Sequence, residues 1–272
     1  NTFDLIDDYN SAKFSAKPLE IWLTEFNMLD NNNFRIGTWS HGLFNSVMAL
    51  KYLETEAITK VISHTLTSDG IYGNIFESST GFDDIQCHGA PHLPKPKPAT
   101  VQWGLTAVGN AFSLISQAMK NAEKAWPLDF SAIQPPLQTL VPNSTNPLLY
   151  GWVFESGSND REVILLNLGG TQSYNLELEN IYSGIYSTSS LEYEQLTAIS
   201  QNYAITGNAV EGATDNGNLN LTIGIASIMN GSIRYVEIPP FSLTRIFLVA
   251  PPLQVRLTDD EICSESSTTL II

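Results

Sequence analysis

A carboxylate and an amide stand at the end of an otherwise apolar segment near the start of the chain. Segment 19–27 is apolar on both of its alternating faces as far as Thr24, and only then do Glu25 and Asn27 follow. Both faces of a strand are apolar when helices cover a parallel sheet on each side. Alternation places Glu25 and Asn27 on one face with Leu23, at the strand end where an α/β barrel keeps its catalytic groups. The alternative interpretation is that Glu25 only caps a neighbouring loop.

The elements around this carboxylate follow the order strand, helix, strand, long loop, helix. Thr38 is placed to cap a helix whose apolar residues recur with helical period through about Glu54. A second strand is predicted from Ala57 to Thr65. A second helix has apolar residues from Val101 to Met119 at spacings of three and four, and is predicted to end near Ala125. Two such units cannot close a barrel, which needs eight strands and about 250 residues.

The second half of the chain predicts short antiparallel strands. Turn signals such as Gly169-Gly170 separate segments that are rich in β-formers. The predicted segments are Leu149–Glu155, Glu162–Leu168, Ser173–Asn180, Asn218–Ile228 and Ser232–Val249, the last with a break at Pro239-Pro240. This pattern is typical of a β-sandwich.

These patterns divide the chain into three predicted parts. Residues 1–126 are predicted to be α/β, and residues 127–250 to be the β-sandwich domain. Residues 251–272 end in an apolar run with nothing after it to pair with, which predicts the start of a further, truncated β module.

Composition excludes several classes of partner. The formal net charge is -15 and there are only 13 Lys and Arg residues, so the sequence predicts no nucleic-acid partner and no anionic membrane surface. No stretch approaches the roughly 18 to 20 apolar residues of a spanning helix.

The residues that bind metals and phosphates match no known site pattern. Cys87, His88 and His92 fit none of the tetrahedral zinc spacings, and Cys87 and Cys263 lie in different predicted modules. No phosphate-binding glycine loop and no Gly-x-Ser-x-Gly elbow occur. The sequence therefore predicts no metal and no cofactor.

The order of these parts resembles a known group of enzymes. The run Ile-Trp-Leu-Thr-Glu-Phe-Asn at 21–27, a helix at 35–54 and a strand ending at His64 resemble the seventh and eighth strands of clan A glycoside hydrolases, in particular families 39, 44 and 51. Residues 238–246 resemble the last strand of the β-sandwich that commonly follows those barrels. The resemblance spans about residues 15–250. It implies an α/β plus all-β fold, with the last two βα units of a TIM barrel followed by an antiparallel β-sandwich.

The resemblance implies a catalytic role for Glu25. In a retaining glycosidase one carboxylate attacks the anomeric carbon, while a carboxylic acid about 5 to 5.5 Å away protonates the departing oxygen and later activates water. Glu25 matches the attacking residue of the family pattern, and Asn27 would bind a sugar hydroxyl or steady the carboxylate. The family's acid/base residue follows an Asn at the end of the fourth barrel strand, far upstream. No Asn-Glu pair precedes Glu25 in this chain.

The chain is therefore expected to be the C-terminal portion of a secreted or cell-surface retaining glycosidase that acts on plant or algal polysaccharide. Its partners would be an oligo- or polysaccharide substrate and the missing N-terminal part of the same barrel. Without that part the chain is expected to be inactive.

Loops that follow barrel strands build the substrate cleft, so the loop 65–100 is expected to lie on the same rim as Glu25. Aromatic rings there would stack on the apolar faces of sugars, and His64, alternating with Ile62, would point inward. The predicted substrate-binding residues are Asn27, His64, Tyr72, Trp103 and Trp39. Core packing is the alternative for the aromatic residues, and a hydrogen-bonded structural role is the alternative for His64.

A function of a different class stays open. The β-sandwich is rich in tyrosine and would then be a non-catalytic module that binds carbohydrate or supports other domains. Its tyrosines are Tyr174, Tyr182, Tyr186, Tyr193, Tyr203 and Tyr235. Fold resemblance alone does not decide between the two functions.

Overall fold

The computed structural model describes residues 20–27, 36–55, 57–64, 66–68, 73–77, 103–130, 148–157, 160–178, 181–182, 190–199, 205, 207–213, 218–229 and 233–249. Within them, no helix is both long enough and apolar enough to span a membrane. Several sequence predictions lie outside these ranges, namely those for Tyr72, Cys87, His88, His92 and Cys263 and for residues 251–272.

The first half is built on a parallel strand pair with a helix between the strands. Strand β1 (Ile21–Phe26) pairs with β2 (Ile58–Ser63), and helix α1 (Trp39–Leu53) connects them. Helix α2 (Ala107–Met119) packs against α1. These four elements confirm the predicted strand, helix, strand and helix.

Helix α2 differs from its prediction at both ends. Before it lies a small sheet of β3 (Thr67–Ser68), β4 (Ile75–Glu77) and β5 (Trp103–Leu105). The helix begins only at Ala107 because the Thr106 hydroxyl accepts the Gly109 N–H at 3.1 Å, which satisfies one of the free donors of a helix start. It ends at Met119, and the chain turns directly into strand β6 (Ala122–Pro127).

The second half consists of strands, as predicted. They are β7 (Leu149–Ser156), β8 (Arg161–Asn167), β9 (Tyr174–Glu177), β10 (Ser190–Thr197), β11 (Val210–Glu211), β12 (Asn220–Ile225), β13 (Ser227–Met229), β14 (Ile233–Ile238) and β15 (Ser242–Val249). A seven-stranded sheet has the order β11-β12-β10-β15-β8-β7-β6, antiparallel except for the β11–β12 pair. A three-stranded antiparallel sheet has the order β13-β14-β9. The predicted boundary between residues 126 and 127 falls inside β6.

The seven-stranded sheet is the middle layer of the molecule. Along β8, Val163 and Leu165 pack with side chains of the three-stranded sheet, whereas Ile164 and Leu166 pack with α1 and α2. All four side chains are fully buried. The period-two alternation of a strand thus supplies one core on each face of the sheet.

Polar contacts join the two halves as well. The fully buried Trp39 of α1 donates its indole N–H to the Phe241 carbonyl at 2.6 Å. Trp152 of β7 donates to Glu54 Oε1 at 3.0 Å, just beyond the end of α1. The β-rich half is therefore docked on the helices.

The two helices approach closely at one glycine. A Cβ atom on Gly42 would lie 2.7 Å from the Ala107 carbonyl oxygen, closer than real Cβ atoms come to backbone. Only glycine fits between α1 and the start of α2 without moving one of them.

The Trp39 contact makes a testable prediction about stability. Trp39→Phe removes the indole donor and opens a small cavity, so the free energy of unfolding of the complete protein should fall by about 1 to 3 kcal/mol. Trp126→Phe is the matched control because this side chain is 42% exposed, and it should change stability by less than about 0.5 kcal/mol. Denaturant unfolding measures both. Equal effects would show that the docking contact does not contribute.

Candidate active site

Glu25 lies near the C-terminal end of β1, and its side chain is exposed. Its neighbour Phe26 packs on Tyr52 of α1 and Phe112 of α2, with ring centroids 5.8 and 6.3 Å away. The register of β1 on β2 is irregular between Leu23 and Phe26, and the Glu25 side chain within this stretch is 71% exposed. The carboxylate is thus available to a molecule that approaches this edge of the strand pair.

His64 is the nearest described titratable partner of Glu25. Its Nδ1 lies 3.5 Å from Glu25 Oε1, and its side chain is about half exposed. The backbone aligns the two residues, because the His64 N–H donates to the Phe26 carbonyl at 2.9 Å. The distance is long for a hydrogen bond, but such contacts in enzymes often tighten only when substrate binds. His64 is therefore positioned to orient the Glu25 carboxylate or to meet a ligand beside it.

The other carboxylate at this strand, that of Glu20, is hydrogen-bonded to neighbouring side chains. Glu20 precedes β1, and its Oε2 accepts from Trp22 Nε1 at 3.2 Å and from the Thr59 hydroxyl at 3.0 Å. These hydrogen bonds, the one from Trp22 foremost, lower the pKa of Glu20. Glu20 and Glu25 thus have distinct surroundings at opposite ends of one strand.

Asn27 was predicted to share a strand face with Glu25, but the strand ends one residue before it. The chain leaves the strand after Phe26, and the Asn27 amide turns toward α1. Its Nδ2 donates to the His64 carbonyl, while its Oδ1 accepts from Asn45 Nδ2 at 2.7 Å and lies 2.5 Å from His41 Nε2. Both ends of the amide are therefore engaged with the protein, and the expected contact of Asn27 with a sugar hydroxyl or the carboxylate stays a prediction.

His41 and Asn45 form a buried polar pair on α1. Both side chains are fully buried. The Gly37 N–H donates to His41 Nδ1 at 3.0 Å, from a turn in which Gly37 adopts φ 75°, a conformation that favours glycine. Burial lowers the pKa of His41 to about 4, so the ring is neutral at physiological pH.

The aromatic predictions have separate outcomes. Trp39 is fully buried and bonded to Phe241, so it belongs to the core and has no surface with which to stack on a sugar. Trp103 lies in β5, where its backbone pairs with that of Glu77, and its side chain is outside the described structure. The expected roles of Trp103 and Tyr72 stay predictions.

Sequence reasoning missed His41 and Asn45. Both stand on the buried face of α1, among the apolar residues Trp39, Leu43 and Val47. The signal was two polar residues spaced by four within an apolar stripe, since positions i and i+4 share a helix face. The prediction of this helix rested on its apolar residues alone, so the two polar residues between them received no role.

Comparisons with known proteins find similarity in structure but not in sequence. No family model and no curated protein matches the chain. The α-L-arabinofuranosidase from Thermotoga maritima in complex with arabinose matches with a TM-score of 0.54 and 16% identity, over 91% of this chain and 45% of that chain. AbfB, a family 51 α-L-arabinofuranosidase from Bifidobacterium longum, matches with a TM-score of 0.54 and 13% identity, over 90% and 45%. The GH51 arabinofuranosidase from Xanthomonas axonopodis pv. citri matches with a TM-score of 0.53 and 12% identity, over 85% and 41%.

At this level of identity the matches establish a shared fold. The chain has an α/β and β-rich fold with a large sheet that is found in family 51 glycoside hydrolases, in agreement with the resemblance in its sequence. It spans less than half the length of these solved structures.

The buried His41 makes a prediction about pH. Its pKa is about 4 in the folded protein and near 6.5 when unfolded, so the unfolded state binds more protons between these values. Stability should therefore be fully present above about pH 6.5 and fall as the pH drops toward 4, with His41 responsible for about 1 to 3 kcal/mol. The measurement is denaturant unfolding across this range, with His41→Gln as the control that removes this part of the slope. Identical slopes in the two proteins would contradict the assignment.

Proposed function

We propose that this chain is the C-terminal portion of a retaining glycoside hydrolase and that Glu25 is its nucleophile. In this proposal β1, α1, β2 and α2 are the last two βα units of a TIM barrel, and the β-rich half is the β-sandwich that follows it. The remaining barrel strands and the acid/base residue would come from an N-terminal part of the same protein.

One observation carries the proposal. Glu25 is an exposed carboxylate at the C-terminal end of a parallel strand, 3.5 Å from His64. Parallel α/β barrels keep their catalytic groups at that end of the strands. The fold shared with family 51 enzymes adds support, although fold alone does not determine chemistry.

The proposed reaction has two steps. The Glu25 carboxylate attacks the anomeric carbon and forms an ester bond, the glycosidic C–O bond breaks, and a carboxylic acid from the N-terminal part protonates the departing oxygen. The resulting carboxylate then takes a proton from water, whose oxygen attacks the same carbon and releases Glu25. Two inversions leave the sugar with its original configuration.

The structural neighbours support a choice of substrates to test. They are named as α-L-arabinofuranosidases, so arabinofuranosides are the first substrates to test. We propose a plant or algal polysaccharide as the natural substrate, and secretion or display at the cell surface, where such polymers are found.

The non-catalytic alternative receives less support from the tyrosines on which it depends. Tyr182 is fully buried and donates its hydroxyl to the Ile246 carbonyl at 3.1 Å. Tyr174 is also in the core, and burial raises its pKa. These two rings fill the space between the sheets and present no platform for a glycan.

The nucleophile role is tested by Glu25→Gln in the complete protein. Glycoside cleavage should fall by several orders of magnitude because the covalent step is lost, while folding stays nearly unchanged at this exposed site. Glu20→Gln, on the same strand, is the matched control and should keep near-normal activity. Steady-state hydrolysis of aryl glycosides, including α-L-arabinofuranosides, measures both. Near-normal hydrolysis by Glu25→Gln would defeat the proposal, and a complete protein that binds polysaccharide but cleaves no glycoside would favour the alternative.

A second experiment tests the covalent intermediate. Glu25→Ala and Glu25→Gly open space at the anomeric carbon, so azide should restore turnover better in them than in Glu25→Gln. The product should be a glycosyl azide of inverted configuration, because only one displacement then takes place. Product analysis by NMR measures the configuration, and a retained configuration would rule out Glu25 as the attacking group.

A further inference from the structure

We propose that His41 is a positioning residue for Glu25 and acts through Asn27. The inference rests on the proposed function, since it assigns the side chains that hold the nucleophile in place. The group formed by the partly buried Asn27 and the fully buried His41 and Asn45 is here called the rim cluster. It lies behind the strand end that carries Glu25, on the helix side.

Asn27 connects the three elements that meet at the rim. It follows β1 directly, its Nδ2 donates to the His64 carbonyl at the end of β2, and its Oδ1 faces α1. Glu25 is two residues before it, and the side chain of His64 lies 3.5 Å from Glu25. The amide of Asn27 therefore adds a side-chain link between the two strand ends, beside the backbone hydrogen bond from the His64 N–H to the Phe26 carbonyl.

The hydrogen bonds define the tautomer of His41. Because the Gly37 N–H donates to Nδ1, that nitrogen is an acceptor, and the single proton of the neutral ring is on Nε2. Nε2 then donates to Asn27 Oδ1 at 2.5 Å. The contact of 3.1 Å between Asn45 Nδ2 and Nε2 joins two donors and makes no hydrogen bond in this tautomer. His41 thus connects the turn at residues 36–37 to Asn27 at the end of β1 through two hydrogen bonds.

The rim cluster is expensive for the fold. Asn45 Oδ1 is buried and has no hydrogen-bond partner among the described residues, and an unsatisfied buried acceptor destabilises the folded state. An apolar side chain at position 45 would avoid that cost. Unsatisfied buried polar atoms of this kind are expected where a site needs a fixed geometry. Groups behind a catalytic residue act by holding it within a fraction of an ångström of the productive position.

Two substitutions at one position separate positioning from a structural role. A Gln side chain reaches as far as Nε2, so His41→Gln keeps a donor to Asn27 and loses the acceptor for Gly37. An Asn side chain reaches only as far as Nδ1, so His41→Asn keeps the acceptor and loses the donor. Asn27→Asp is the third variant, because it keeps the volume and the acceptor but removes the donor to the His64 carbonyl.

In the complete enzyme, kcat should fall about 10- to 100-fold in His41→Asn and Asn27→Asp, with KM within about threefold of the original value. His41→Gln should retain kcat within about threefold. The Nε2–H tautomer is read independently from the nitrogen shifts of ¹⁵N-histidine-labelled protein, and thermal unfolding shows whether each variant is folded.

Each outcome decides between named possibilities. Equal loss of kcat in His41→Gln and His41→Asn, no loss in either, or a proton found on Nδ1 would overturn the positioning role. A misfolded Asn27→Asp leaves the comparison of the two His41 variants to decide. If the unaltered enzyme cleaves no glycoside, the proposed function fails, and this result differs from an active enzyme that is indifferent to position 41.

Discussion

The structure depends on one sheet that is apolar on both of its faces. The strand β8 shows this most directly, because four consecutive residues, 163–166, are fully buried and alternate between the two cores. Neither the helix pair nor the three-stranded sheet could bury its own apolar face without this middle layer. The position of α1, and so the position of everything attached to it, follows from the sheet beneath.

The Glu20 carboxylate is hydrogen-bonded within the protein, whereas the Glu25 carboxylate at the rim is accessible to solvent. Glu20 accepts from two neutral donors at the start of β1, whereas Glu25 near its end is exposed and lies 3.5 Å from the half-exposed His64. The rim cluster lies behind Glu25, with a neutral histidine whose charge is suppressed by burial. An uncharged, hydrogen-bonded group behind an exposed carboxylate is consistent with the nucleophile role proposed for Glu25.

The sequence predicted those elements whose local pattern agrees with their final surroundings. Strand β8 was predicted from its continuous run of apolar residues. Strand β1 was predicted from an apolar segment that ends on a carboxylate. Strand β10 was missed although it lies in the middle of the large sheet. Its Glu194 reads as a surface residue, and only the cross-strand Arg245, 3.1 Å away, makes its position favourable. Strand β6 was missed because it is an edge strand with mostly exposed side chains.

Within the site, local pattern located Glu25 and His64 but not their support. Trp39 was expected at the rim because it starts a helix, yet the packing of α1 on the large sheet buries it. The hydrogen bonds of Asn27 join residues 14, 18 and 37 positions apart in sequence, and no local pattern contains such distances.

Helix α1 is bound at both of its ends, which limits how freely the two halves can be exchanged. Its first turn carries Trp39, anchored on the Phe241 carbonyl, and His41, which bonds to Asn27, and just past its last turn Glu54 accepts from Trp152. A β-rich half transplanted from another protein of this fold would have to present a carbonyl and an indole at the same two points. The two halves can therefore be exchanged only if the new β-rich half fits α1. Recombination between relatives should succeed only where α1 and the surface that it packs on come from the same parent.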